Sequence, residues 1–167
     1  MKTTKARGTS TMLISLDEAK KYYGEIDLIR KFWPDEVKHM TTLQLPPELC
    51  FSNWLSSATG QPITHLYCNL DMAGALLDAL TNLKDRGFSS ELKTFDGCLN
   101  IRPVRGYTGR LSTHCYGLAI DLNAKENPLG GPIALSGGFI NCFIDAGFKW
   151  GGGFARVDAM HFQYAAW

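Results

Sequence analysis

The stretch Leu118-Ala119-Ile120-Asp121-Leu122 sets one carboxylate inside an otherwise apolar strand. No other feature constrains the fold of this chain as tightly. Apolar neighbours on both sides call for a buried strand, and a carboxylate desolvated alone in such a strand costs several kcal/mol. Asp121 must therefore be paired, hydrogen-bonded or metal-bound. His114 precedes it at the loop entering the strand, and Gly117 between them permits a sharp turn that brings the imidazole back toward the carboxylate.

A second polar cluster follows in Asp158-Ala159-Met160-His161-Phe162-Gln163-Tyr164, where His161 again interrupts an apolar strand and an acid stands three residues before it. Two imidazoles and one carboxylate from separate segments are enough protein ligands for a catalytic zinc ion, leaving its fourth tetrahedral position open to water. Asp158 is then the spare carboxylate, able to take a proton from that water and pass it to a leaving amine. By residue type and spacing alone, a histidine beside an apolar strand is more often a hydrogen-bonded core residue than a ligand, and both readings stand at this level. His39 and His65 lack a matched acid and read as surface or structural residues.

Around these clusters the pattern is α+β. Met72, Ala73, Leu76, Leu77, Leu80 and Leu83 recur at helical spacing, with Asn69 or Asp71 as the cap and Gly87 after the last turn. An earlier helix starts from a Ser15–Glu18 capping box and closes before Trp33-Pro34, and Pro46-Pro47 mark a loop. Residues 92–95 and 98–101 read as strands of a hairpin turning at Asp96-Gly97. Ser136 caps a helix through Phe139, Ile140, Phe143 and Ile144, which Gly147 ends, and short strands at 148–150 and 160–164 flank a glycine-rich turn. The expected architecture is one domain over 1–167. It has a mainly helical part at 1–90 and a catalytic core at 91–167, where a small antiparallel sheet carries the zinc site between flanking helices.

Composition removes several classes of function. A net charge of +1 argues against nucleic-acid binding through a basic face. It also argues against a general basic surface. No run approaches the ~18–20 apolar residues of a membrane span. Five dispersed cysteines, without a CxxC pair, read as free and largely buried thiols in a reducing compartment. After Lys2, Lys5 and Arg7 only Met12-Leu13-Ile14 intervenes before Asp17 and Glu18, so no secretory leader is read. Gly151-Gly152-Gly153 lacks the Lys-Ser/Thr of a phosphate loop and reads as a tight turn or cleft wall. Trp150, Phe154 and Trp167 read mainly as core, with one of them a candidate for lining the substrate groove.

Ser112-x-His114-x-x-Gly117-x-Ala119-x-Asp121, followed by Asp158-x-x-His161, resembles the zinc-dependent D-Ala-D-Ala carboxypeptidase/dipeptidase family of peptidoglycan peptidases, which includes phage L-alanyl-D-glutamate peptidase endolysins. The resemblance takes in Phe95-Asp96-Gly97-Cys98, Arg102-Pro103-Val104-Arg105-Gly106 and Gly147-Phe148-Lys149-Trp150-Gly151-Gly152, and so spans roughly 92–165. It implies that His114, Asp121 and His161 are zinc ligands and Asp158 the catalytic acid/base. Arg102 matches the arginine that binds the substrate carbonyl or stabilises the oxyanion, with Arg105 competing for that role. Ser112 matches a serine that contacts substrate or positions the His114 loop. Aspartate at 158 is similar to the phage endopeptidase branch, whereas many carboxypeptidases and dipeptidases carry glutamate. Cys115 reads as structural, since a zinc-bound His114 cannot serve as its base.

The expectation is a monomeric zinc peptidase of endolysin type, held in the cytoplasm of a host bacterium and acting on the peptidoglycan stem peptide after release. D-alanyl-D-alanine carboxypeptidase activity is the nearest alternative. A non-catalytic, zinc-stabilised protein that binds cell-wall peptide is the rival from another class.

Overall fold

The computed structural model describes Lys20, residues 36–106 and residues 110–165. The helix expected after Ser15, and Trp167, lie outside the described residues. In chain order the elements are α1 (Glu36–His39), β1 (Met40–Gln44), β2 (Leu55–Ser56), β3 (His65–Asn69), α2 (Leu70–Asp85), β4 (Thr94–Gly97), β5 (Ala119–Leu122), α3 (Gly137–Asp145), β6 (Lys149–Trp150) and β7 (His161–Gln163).

Five strands form one sheet in the order β2-β4-β5-β7-β6. All neighbours are antiparallel except β2 and β4, which run parallel. Successive side chains on a strand point to opposite faces, and this alternation separates core from chemistry. On the core face Ile120 opposes Phe162, both buried. Phe162 stacks on Phe143 at 4.4 Å between ring centroids, with Phe139 and Phe148 completing the aromatic cluster. Burying each such ring contributes roughly 1.5–3 kcal/mol. On the other face Asp121 lies directly opposite His161, and Ala119 opposite Gln163. The two central strands thus deliver a carboxylate and an imidazole side by side.

The two expected helices that fall within the described residues form as read. Asn69 caps α2, its side chain accepting the Asp71 N–H at 2.9 Å, and Gly87 follows the helix at φ 78°. Its buried face is Met72, Ala75, Leu76, Ala79, Leu80 and Leu83. Ser136 caps α3 by accepting the Phe139 N–H at 3.1 Å, and Gly147 follows at φ 96°. Asn82 Nδ2 ties the two helices together by donating to the Cys142 carbonyl at 3.0 Å. No described helix is long and apolar enough to cross a membrane. The five cysteines are free, and all but Cys50 are buried.

Two features depart from or add to the sequence reading. The hairpin at Asp96-Gly97 does not form. Its favoured turn needs positive φ at both central residues, and of the two only Gly97 has it, at φ 142°. The Asp96 carboxylate instead accepts Thr94 Oγ1–H at 2.7 Å and the Ala124 N–H at 2.9 Å. Strand β4 ends in a bulge opposite Asp121, and residues 98–101 leave the sheet. The addition is a separate antiparallel ribbon of β1 and β3. It supports the turn that carries His114. The Asn69 N–H donates to the Gly117 carbonyl at 3.0 Å, and Asn69 Nδ2 to the Tyr116 carbonyl at 2.9 Å.

Candidate metal centre

His114 stands on a short 3-10 turn, Thr113–Tyr116. Ser112 opens the turn by accepting the His114 N–H at 3.3 Å. Gly117 closes the turn in the left-handed region at φ 62°. A side chain there would be strained, and its Cβ would fall 2.6 Å from Met40 Cε. The expected sharp turn is therefore present, and it returns the imidazole to Asp121.

His114 Nε2, His161 Nδ1 and Asp121 Oδ1 form a triangle with every edge 3.1 Å. Neighbouring hydrogen bonds determine which nitrogens face its centre. The Cys98 carbonyl, 2.7 Å from His114 Nδ1, can only accept, so that nitrogen carries the proton and Nε2 presents a lone pair. Gln163 donates its amide N–H to the Ala165 carbonyl at 2.8 Å and so turns Oε1 toward His161 Nε2, 3.0 Å away. The Thr113 hydroxyl lies 3.3 Å from the same nitrogen. His161 Nε2 is thus the donor, and Nδ1 also presents a lone pair.

Three acceptors converging in this way repel unless a cation or a proton stands among them. A tetrahedral zinc shell with bonds of about 2.0–2.1 Å sets its ligands about 3.3 Å apart. The donor set and its spacing fit a metal ion, and the outward hydrogen bonds are those that orient ligating histidines. Burial opposes ionisation of Asp121, but the His114 and His161 imidazoles outweigh it and hold the carboxyl far below the usual carboxylate range. Burial likewise works against charge on His161, and the hydrogen bond and charge of Asp121 overcome it and raise its basicity.

A cleft of about 400 Å³ opens beside this triangle. Six of the seven residues singled out from sequence line it: Arg102, Arg105, Ser112, Asp121, Asp158 and His161. The seventh, His114, touches Asp121 and His161. Asp158 belongs to the turn before β7, where its N–H donates to the Gly151 carbonyl at 3.0 Å and its carbonyl accepts the His161 N–H at 3.1 Å. Burial pushes the Asp158 carboxyl up, against the opposing charges of His161, His114 and Arg105. Among the described residues four buried side-chain polar atoms have no hydrogen-bond partner, and two of them, Asp158 Oδ1 and Arg102 Nε, belong to cleft residues.

Cys115 anchors the backbone of Arg102. Its thiol donates to the Arg102 carbonyl at 2.9 Å, and its sulfur accepts the Arg102 N–H at 3.2 Å. Burial raises its pKa, which is the reverse of what a nucleophilic cysteine needs. Alkylating reagents applied to the native protein are expected to spare Cys115, as mass spectrometry of the labelled chain would show; rapid labelling there would contradict its structural role.

The sequence reading missed Gln163, Thr113 and the Cys98 carbonyl as partners of the imidazoles. Only Gln163 left a signal, two positions after His161 and hence on the same strand face. Of the three aromatics Trp150, Phe154 and Trp167, Phe154 lines the cleft, its ring centroid 6.0 Å from that of His161. No curated protein and no solved structure matches the chain. Residues 105–164, which hold His114, Asp121, Asp158 and His161 but not Arg102, match the family model described as D-alanyl-D-alanine carboxypeptidase, and that match supports a peptidase.

Proposed function

We propose that this chain is a zinc-dependent peptidase acting on the stem peptide of bacterial peptidoglycan, with the L-alanyl-D-glutamate endopeptidase activity of phage endolysins. One observation carries the reading. Three lone pairs converge at 3.1 Å beside a cleft where a carboxylate and a guanidinium, Asp158 and Arg102, each keep a buried polar atom without a partner.

Zinc held by His114, Asp121 and His161 supplies Lewis acidity, which makes water nucleophilic at neutral pH and polarises a carbonyl. The protein's own groups do the rest. Asp158 takes the proton of the attacking water and returns it to the departing amine, and a carboxyl raised by burial suits both halves of that task. Arg102 Nε donates to the carbonyl oxygen as negative charge builds there. The backbone clamp from Cys115 keeps that guanidinium in register. Aspartate rather than glutamate at 158 favours the endopeptidase. The description of the matching family favours D-alanyl-D-alanine carboxypeptidase as the second reading.

The test uses purified peptidoglycan and labelling of newly freed amines. Wild type loaded with zinc is expected to release them, and Asp158→Asn to slow release by about 10²–10⁴-fold, the usual worth of a general acid/base. Mass spectrometry of the termini decides the bond: new N-terminal D-glutamate marks the endopeptidase, free D-alanine the carboxypeptidase. Zinc-loaded wild type freeing no more amine than Asp158→Ala would leave the non-catalytic binding protein as the better account.

A further inference from the structure

The Asp158 carboxylate is not aimed by a partner of its own. Its Oδ1 is buried without a hydrogen bond, and no described cation forms an ion pair with it. Its direction therefore comes from the backbone that carries it. Along that backbone the carbonyls of residues 157 to 160 each accept a hydrogen bond. Val157 accepts the Gly130 N–H at 2.7 Å, from the loop between β5 and α3. Asp158 accepts the His161 N–H at 3.1 Å, within the turn itself, and Met160 accepts the Leu122 N–H at 2.9 Å, from β5. Ala159 accepts Nε1–H of the Trp150 indole at 2.9 Å. Three of these donors are backbone groups, which a change of side chain would leave in place. The fourth is a side chain whose ring nitrogen can only donate.

Trp150 reaches the turn from behind. It pairs with Phe162 across β6 and β7, and it packs against the core rather than lining the cleft. Its indole lies over Gly152, where a Cβ would collide with ring atoms Cη2 and Cζ2. A glycine thus makes room for the ring, and the ring returns an N–H to the residue that follows Asp158. Ala159 is fully buried, and a buried carbonyl that loses its donor costs free energy. The turn can escape that cost only by shifting until the carbonyl finds water. His161 depends less on this bond, because it sits in the β5–β7 ladder opposite Asp121. Asp158 lies outside the ladder and would move with the turn.

We infer that Trp150 is a positioning residue for the proposed reaction: its indole N–H, bonded to the Ala159 carbonyl, fixes the direction of the Asp158 carboxylate from outside the cleft. The inference rests on the peptidase reading above. It requires a split among the enzyme's properties. Turnover depends on the indole N–H, whereas zinc and substrate binding do not, since the metal triangle and the cleft lining hold their places without it.

The test uses the full-length, zinc-loaded protein and the soluble stem peptide L-Ala-D-Glu-L-Lys-D-Ala. Trp150→Phe keeps an aromatic ring and removes the N–H. It is expected to lower kcat by about ten- to a hundredfold, as displacement of a reacting group by up to about 1 Å would, with KM within about twofold. Zinc affinity, measured by competition with a chelator, is expected to stay within about threefold of wild type, a small change on the scale set by loss of a ligand's hydrogen-bond partner. Hydrogen exchange gives a readout apart from activity. The Asp158 N–H, which donates to the Gly151 carbonyl at 3.0 Å, is expected to exchange at least about tenfold faster in Trp150→Phe, with the amides of α2 unchanged. Gly152→Ala reaches the same bond by another route, pushing the indole off Ala159, and is expected to lower kcat to a similar degree. Phenylalanine lacks the ring atoms that the new methyl would meet. Added to Trp150→Phe, Gly152→Ala is therefore expected to cost less than about twofold more, the non-additivity of two changes acting on one contact. Gly152→Ala alone carries the test if Trp150→Phe melts below the assay temperature. Turnover close to wild type in these variants overturns the inference, as do additive losses in the double variant, unchanged exchange at Asp158, or zinc affinity that falls in step with kcat. Failure of the peptidase reading registers separately, as no cleavage by wild type while exchange at Asp158 still rises in Trp150→Phe.

Discussion

Asp121→Ala is expected to abolish zinc binding and to lower peptide hydrolysis by more than about a thousandfold, because zinc held there would lower the pKa of water to about 7. The substitution removes the one carboxylate donor of the triangle and leaves two imidazoles whose nitrogens stand 3.1 Å apart. It touches little else, since Asp121 Oδ1 spends its contacts on those two rings. Thermal stability gives a readout independent of activity. A ligand at about a hundred times its Kd stabilises the native state by about 2.7 kcal/mol, or roughly 5–11 °C in Tm for a domain of this size. Zinc added to metal-stripped wild type is expected to raise Tm by that amount, and zinc added to Asp121→Ala to leave it unchanged. Asp121→Asn preserves volume while removing charge, so a matching loss there assigns the effect to the charge and not to a cavity. A zinc-dependent rise in Tm persisting in both variants would remove Asp121 from the metal site.

The legibility of this site in the sequence came from chemical conflict. Asp121 and His161 interrupt apolar strands, and a polar group in such a place has to be accounted for. The helix of Leu70–Asp85 was legible for the opposite reason, because its apolar positions recur at one period and its ends carry their own caps. What stayed hidden depends on the folded chain. The Cys98 carbonyl fixes the tautomer of His114, yet a backbone carbonyl has no side-chain identity to read. The ribbon of β1 and β3 pairs Met40–Gln44 with His65–Asn69 across a long intervening loop, so no two-residue turn announces it. Asp96-Gly97 sent the converse message, a turn signal that strand pairing on both sides of β4 overrode. Net charge misled most. A sum near zero says nothing of where charges stand, and here lysine and arginine gather at the cleft from segments far apart in the chain.

Gly151→Ala, a methyl group added behind the cleft, is expected to cost about a hundredfold in kcat. The reason is steric. A Cβ at 151 would stand 2.4 Å from the Asp158 carbonyl oxygen and 3.2 Å from the Cβ atoms of both Asp158 and His161. The nearest of these is backbone and cannot rotate aside. The same carbonyl accepts the His161 N–H, and the Gly151 carbonyl accepts the N–H groups of Phe154 and Asp158, so relief requires the whole turn before β7 to shift. Overpacking of this kind costs about 1–3 kcal/mol of stability, which the aromatic core beneath β7 can bear. Misplacing a reacting group by about 1 Å costs about 10²-fold in rate, and here the displaced groups are the proposed proton acceptor, Asp158, and a proposed metal ligand, His161. Gly153→Ala is the control: it belongs to the same glycine turn and lines the cleft, and a Cβ there meets nothing within 4 Å. Activity within about threefold of wild type is expected for Gly153→Ala, with a folded but crippled enzyme and weakened zinc affinity for Gly151→Ala. Equal activity in the two variants would show that the turn holding Asp158 and His161 tolerates displacement, and would separate their placement from the contact with Gly151.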